Sequence, residues 1–416
     1  MVCSRPLWRN RLALLSASMN KSILIVEPDS GGHRANHIGI IVRHLRSIGI
    51  EPELLTRRDT IAGGGFDHLG LETNSFDRED YALPIYARML PAVFRKQVSA
   101  FQQISSCLKQ QRYAKTDYAI FPTLQASGLL PAGLSKSGFP VPWVGVVMAP
   151  GAHLRHHGID THHSATELWI QRKAYRGLAK QSNCMGISSF DPLFADWMND
   201  PKVVYCPDPV RIADSSDTQN LVSSTDRPVI LVAGSIDRRK KICELVDVLA
   251  RVNRTQPLHL VIAGKPSDEM RPKLENSSAL NELKESKSVD LILRRLSDSE
   301  MDALFQRADI VWSGNLRAYG SSGAVVRAGM HRKPVVTMQN SVLGNWMKSV
   351  DGGPVADLSS PDALASIFEK LVSDRVLREN LGSQNYSLFS DNTDSKYCEV
   401  LLRPLNLSTP ASPQKV

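Results

Sequence analysis

A chain of 416 residues is too long for one ordinary hydrophobic core and predicts two domains of about 200 residues each. Hydrophobic residues make up 42% and charged residues 22%, as in soluble globular proteins. A formal net charge of +8 and a pI near 9.1 suit anionic partners, but no dense Lys/Arg run is interleaved with aromatics, which argues against nucleic acid.

Residues 1–18 hold Arg5, Arg9 and Arg11 without an acid and only a short apolar patch at 12–15. That patch is shorter than a secretory core, so the segment reads as an extension ahead of Met19, from an upstream start codon or as a targeting segment. No window elsewhere reaches about eighteen continuous apolar residues, and membrane contact is therefore expected to be peripheral at most. Cys3, Cys107, Cys184, Cys206, Cys243 and Cys398 are scattered with no CxxC spacing, which reads as a reduced, cytoplasmic chain without structural zinc.

In chain order, residues 21–27 (KSILIVE) predict a strand that ends at Pro28-Asp29-Ser30-Gly31-Gly32, and residues 37–48 have helical spacing. Leu54-Leu55 predicts a second strand, giving a βαβ opening. Gly31-Gly32-His33 is not a GxGxxG fingerprint, which disfavours a nicotinamide cofactor. Residues 57–77 are polar and glycine-rich and read as a mobile loop able to fold over a ligand. Helical patterns follow at 92–110, with strands at 117–121 and 141–148.

His153, His156, His157, His162 and His163 then fall within eleven positions. Imidazole is a common transition-metal ligand, yet no thiol or compact carboxylate set joins these side chains, and no metal is expected. The stretch reads either as a loop that contacts acceptor hydroxyls or phosphate or as an ordinary solvated loop. A helix at 167–181, a strand at 184–187, a helix at 191–198 and a strand at 203–205 complete the first domain, residues 19–207. Residues 208–227, rich in Ser, Asp and Thr, read as a linker.

The second domain, residues 228–390, alternates buried strands with amphipathic helices, the pattern of a doubly wound parallel sheet. Ser297 and Glu300 make a capping box, and Pro361 sits in the first turn of a helix that runs to Leu371. Strand 308–312 is followed by Gly320-Ser321-Ser322-Gly323, a glycine-rich turn into a helix that ends near His331. A tight turn feeding a helix N-terminus brings free N–H groups and partial positive charge together, which is anion-binding geometry. Gly234, Gly264, Arg294 and residues 320–323 all fall at carboxyl ends of strands, where such sheets bind ligands. Residues 391–403 are helical and 404–416 form a tail.

In their order and spacing these motifs resemble the GT-B glycosyltransferases, specifically the large retaining family four, over roughly residues 21–403. The motifs are Gly31-Gly32, Pro207-Asp208-Pro209, Gly234 with Lys240, and 320–323 ahead of Lys333-Pro334. The resemblance implies two Rossmann-like α/β domains facing a cleft, with the last helix crossing back to the first. It also implies a nucleotide-sugar co-substrate, UDP- or GDP-linked, and no further cofactor. The implied acceptor is an unidentified sugar, lipid-linked or small molecule.

Lys240 with neighbouring Arg239 is carried over by position, while the family's histidine position falls on Ala149-Pro150 and is lost, and His153 from the stretch that follows joins them as a catalytic candidate. Gly234, Ser235, Arg238, Gly264, Arg294, Tyr319, Gly320, Ser321, Ser322, Gly323 and Arg327 would hold the donor. Gly31, Gly32, His33 and His156 would face the acceptor. One departure stands out: two glutamates eight positions apart in the family fall on Tyr319 and Arg327 here, and neither accepts hydrogen bonds as a carboxylate does. Arg327 is expected to point at the nucleotide instead, and a scaffold that has kept the fold without turnover is the alternative reading.

Overall fold

A computed structural model describes residues 21–31, 34–76, 92–213, 221–315 and 320–407. The chain divides into two compact units, Met1–His153 with His163–Pro209 and Asp394–Val416, and Leu154–His162 with Val210–Thr393.

The first unit is built on strands β1 (Ile23–Val26), β2 (Glu53–Arg57), β3 (Thr73–Phe76), β4 (Tyr118–Phe121), β5 (Trp143–Val147), β6 (Cys184–Ser189) and β7 (Val203–Tyr205). They form one parallel sheet in the order β3-β2-β1-β4-β5-β6-β7. Alternate side chains of β1 feed two separate cores: Leu24 and Val26 pack with Phe121 and Trp143, while Ile23 and Ile25 pack with Ile38, Ile41, Tyr397 and Leu401. A parallel strand covered by helices on both faces reads as an unbroken apolar run, which is why ILIV is legible as a strand.

The second unit holds β8 (Val229–Ala233), β9 (His259–Ala263), β10 (Val289–Ile292), β11 (Ile310–Trp312), β12 (Val335–Met338) and β13 (Val355–Ala356), parallel in the order β10-β9-β8-β11-β12-β13. Here too the strand residues part company: Ile230 and Val232 enter one core with Leu245 and Phe368, and Val229, Leu231 and Ala233 enter another with Phe305 and Val325. The capping box at Ser297 and Glu300 starts the helix Asp298–Arg307, and Pro361 is in the first turn of Pro361–Ser373.

The sequence reading differs from the structure at three segments. Residues 57–76 are not a structureless loop: helix Arg58–Ala62 and a turn at Asp67–Leu69 lead into β3, which pairs with β2 from Leu54↔Thr73 to Arg57↔Phe76. β3 is an edge strand whose outward residues are exposed, so Thr-Asn-Ser-Phe offers little hydrophobic signal. Nor is 208–227 a free tether where it is described. Ala213 N donates to Asp302, Ser223 N and Oγ donate to the Asp290 carboxylate, and Leu221 and Val222 pack on the core of the second unit. Residues 154–162, assigned from sequence to the first domain, group with the second unit.

Candidate active site

In the second unit the connection after β8 runs outward to β9, and the one after β11 runs the other way to β12. β8 and β11 are adjacent, with Ile230↔Ile310 and Leu231↔Val311 in register, so their carboxyl ends flank the point where the winding reverses. Ligands of open α/β sheets bind at this place.

After β8 the chain turns at Gly234, whose φ of +94° lies in the region that favours glycine. The Asp237 side chain caps a short turn at Arg238–Lys240 by accepting from Arg239 N, and only then does helix Ile242–Asn253 begin. The basic run therefore precedes the helix rather than opening it. Lys240 folds back under the loop and is 8% exposed. Its ammonium donates to the carbonyl of Ala233, and a Cβ on Gly234 would lie 3.4 Å from Nζ. The Lys240 carbonyl in turn accepts from the indole Nε1 of buried Trp312, 2.8 Å away, which ties this loop to β11. Burial pushes the Lys240 pKa down to about 8, against the opposing pull of Asp237. Such a group gains on meeting an anion, because the anion restores its charged form.

The facing loop leaves β11 through buried Ser313. The Asn315 amide lies 3.4 Å from Ser313 Oγ and 3.5 Å from Ser322 Oγ, bracing the turn. Gly320 is buried and residues 321–323 are half-buried ahead of helix Gly323–Met330. Ser322 is its N-cap but makes no side-chain capping bond, and since Val325 N already donates to the Ser322 carbonyl at 2.9 Å, the N–H groups of Gly323 and Ala324 are those an outside acceptor could meet. A Cβ on Gly323 would meet no atom within 4 Å, so open space lies against this backbone. Strand end, buried cation and a helix N-terminus without a side-chain cap are the elements from which anion sites are built.

The other predicted residues have different fates. Gly264, at φ +148°, is a packing glycine: a Cβ there would come 1.8 Å from the Gly234 carbonyl, so it permits the β8 and β9 loops to touch. Ser235, Arg238 and Arg239 are exposed, and Arg239 is held by the Asp237 carboxylate at 2.7 Å. Arg294 is engaged elsewhere, on Glu300 at 2.6 Å, and that bond holds the Glu300 carboxyl down at about 2. Tyr319, Gly32 and His33 lie outside the described residues, and Gly31 is exposed.

Arg327 requires correction. It does not aim at a nucleotide: its guanidinium reaches the fully buried Asp302 at 2.7 Å and Asp298 at 3.3 Å. Asp302 also takes His331 at 3.1 Å and the Ala213 N–H at 2.7 Å, so Arg327 neutralises a buried carboxylate inside the second unit. Of the histidines, His153 is fully buried against Asp191 at 2.9 Å, while His156 is exposed. Among the described residues no three His, Cys, Asp or Glu side chains gather as a metal site, and no helix is long and apolar enough to cross a membrane.

One group escaped the sequence reading. Glu27 follows β1 at zero exposure, and burial drives its pKa up to about 8 against the nearby Arg34 and the Thr123 hydroxyl. Its only sequence signal was an acid closing an apolar run.

The glycosyl transferases group 1 family matches residues 214–388, which take in both loops of this candidate site. Residues 214–388 are a glycosyl transferases group 1 domain. No curated protein matches the chain. Among solved structures, the glycosyltransferase is similar to sucrose-phosphate synthase from Thermosynechococcus elongatus, with TM-score 0.63, 13% identity, and 93% of this chain and 97% of that one covered. Anabaena HepE in complex with UDP gives TM-score 0.61 at 13% identity, with 92% and 99% covered. The S. aureus MnaA–UDP structure gives 0.58 at 13%, with 94% and 99% covered. At such identities the likeness concerns the fold, and the glycosyltransferase has the GT-B fold.

Proposed function

We propose that this glycosyltransferase moves a hexosyl group, with retention, from a nucleoside-diphosphate sugar to an acceptor. The diphosphate would sit between Lys240 and the turn at residues 320–323. The observation that carries this reading is a buried lysine, its pKa lowered to about 8, across the strand switch from an uncapped helix N-terminus. Two of the similar structures, HepE and MnaA, hold UDP, which supports a uridine donor.

As the glycosidic C–O bond breaks, negative charge grows on the departing diphosphate oxygen. A preplaced ammonium and backbone N–H groups stabilise that charge more than the ground state. Incoming hydroxyl and leaving group on one face of the sugar give retention without an enzymatic nucleophile, so no carboxylate pair of the hydrolase type is required. Arg239 is the second cation of the loop, restrained by Asp237. The free thiols of Cys107, Cys184, Cys206, Cys243 and Cys398 support a reducing, cytoplasmic setting.

A screen of sugar nucleotides against candidate acceptors, read by mass spectrometry, tests the reading. Transfer from a UDP- or GDP-sugar that disappears in Lys240→Ala is expected. Turnover unaffected by that substitution, or folded protein binding neither UDP nor GDP, would overturn it.

A further inference from the structure

The first unit repeats the winding of the second: β1 and β4 are adjacent, β1 leads outward to β2, and β4 leads the other way to β5. At this second reversal point lies a cavity of about 500 Å³, within the roughly 300–1,000 Å³ typical of small-molecule sites. Among the described residues its charged lining is Arg34, Arg57 and Lys96 with one carboxylate, Asp29. Arg34 is paired with Asp29, and Arg57 is fixed by its Nε donating 2.7 Å to the Pro28 carbonyl. Asp59, 3.4 Å from Arg57, is 61% exposed and does not line the cavity.

Two of the neutral polar side chains in the lining have the same bias. The side-chain oxygen of Gln97 accepts from Leu130 N at 3.1 Å. That of Gln125, in the orientation that satisfies its neighbours, accepts from Met148 N and Ala149 N, each at 3.1 Å. Both amides therefore have their NH₂ groups left to donate. Gln103 runs the other way, its NH₂ donating to Ser99 Oγ at 2.8 Å, so the preference for an anion rests on the cations of the lining.

We propose that this cavity binds a phosphorylated acceptor, its phosphate held by Arg34, Arg57 and Lys96 and its hydroxyl-bearing part turned to the glutamine side. Among the described residues, these three cations face Asp29 in the wall and Asp59 behind Arg57, an excess of positive charge that favours an anion. Glu27, 4.0 Å from Arg34, does not cancel it, because burial keeps it protonated up to about pH 8. This deepens the transfer reading and rests on it for the word acceptor. The anion site itself stands on the first unit alone.

The test uses the full chain and calorimetry with three probes: a hexose 6-phosphate, the unphosphorylated hexose, and UDP. Phosphatidylcholine vesicles with and without phosphatidate, read by co-sedimentation, separate a lipid headgroup from a free sugar phosphate. The hexose phosphate should bind and the hexose should not, and Arg57→Gln with Lys96→Gln should weaken the phosphate about 10- to 100-fold, the scale of lost charge-assisted bonds. UDP affinity in that variant should stay within about twofold, and a urea-unfolding midpoint matching the wild type reports intact folding of the first unit. Binding confined to phosphatidate vesicles and lost in the variant would sustain the proposal with a lipid phosphate as its source. No binding of either phosphorylated probe, or equal binding by the variant, would overturn it. The UDP arm reads the donor site independently, so failure of the transfer reading appears there and not here.

Discussion

The two units use one winding and place opposite ionisable groups beside corresponding strands. β1 in the order β3-β2-β1-β4 and β8 in the order β10-β9-β8-β11 occupy equivalent positions. Glu27 closes the first and Lys240 folds back under the second, and burial drives each toward its neutral form, with both pKa values near 8. Topology fixes where a ligand is met, while the side chains set there decide what charge it carries. In the proposed reading the second unit meets an anion with a lysine and backbone N–H groups. In the first unit burial silences the acid beside Arg34 and leaves Asp29 as that arginine's charged partner.

The sharpest way to break this contrast is to move Arg327 to the donor side of the ledger. Because it neutralises Asp302, Arg327→Ala should destabilise the second unit by about 3–5 kcal/mol, as expected when a buried pair loses one partner. Urea unfolding measures this, and UDP affinity of the folded fraction should hardly change. Loss of UDP binding at unaltered stability would return Arg327 to the nucleotide. Gly264→Ala should cost about 3 kcal/mol, since the added methyl meets the Gly234 carbonyl at a positive φ, and it should weaken UDP binding by displacing the Lys240 loop. Lys240→Ala should leave the fold intact but reduce UDP affinity by about 2 kcal/mol, the scale of a lost charged hydrogen bond. Hexose phosphate binding should not respond to it.

The same two groups, Glu27 and Lys240, make stability depend on pH in opposite senses. Glu27 holds its proton to about pH 8 when folded and to about 4.5 when unfolded, so across that interval the folded state binds more protons and stability falls as pH rises. Lys240 does the reverse: folded it loses its proton near 8, unfolded near 10.5, and stability rises across that window. Denaturation midpoints at pH 5 and pH 8 should therefore differ less in Glu27→Gln than in the wild type. An unchanged difference would show that Glu27 does not titrate as its burial dictates.

Much of this was legible in the sequence because parallel strands buried on both faces, such as ILIV and VILVA, are apolar throughout, and the turns between them carry glycine. Lys240 was legible because its distance from Gly234 is local. β3 was not, since an edge strand with half its side chains in water has no apolar run to display. Arg327 was misread because its partner Asp302 lies on another helix, and sequence spacing does not show which two helices pack together. Glu27 was passed over for the same reason: its protonation depends on what covers it, not on the residues beside it.

The central claim is that Lys240 meets the donor diphosphate, and proton linkage tests it most directly. UDP titrated calorimetrically at pH 8 in buffers of different ionisation enthalpy gives the protons taken up on binding. An ammonium poised near 8 and recharged by an anion should take up a measurable fraction of a proton in the wild type and none in Lys240→Ala. Equal uptake in both proteins, or UDP binding without any uptake, would contradict the account.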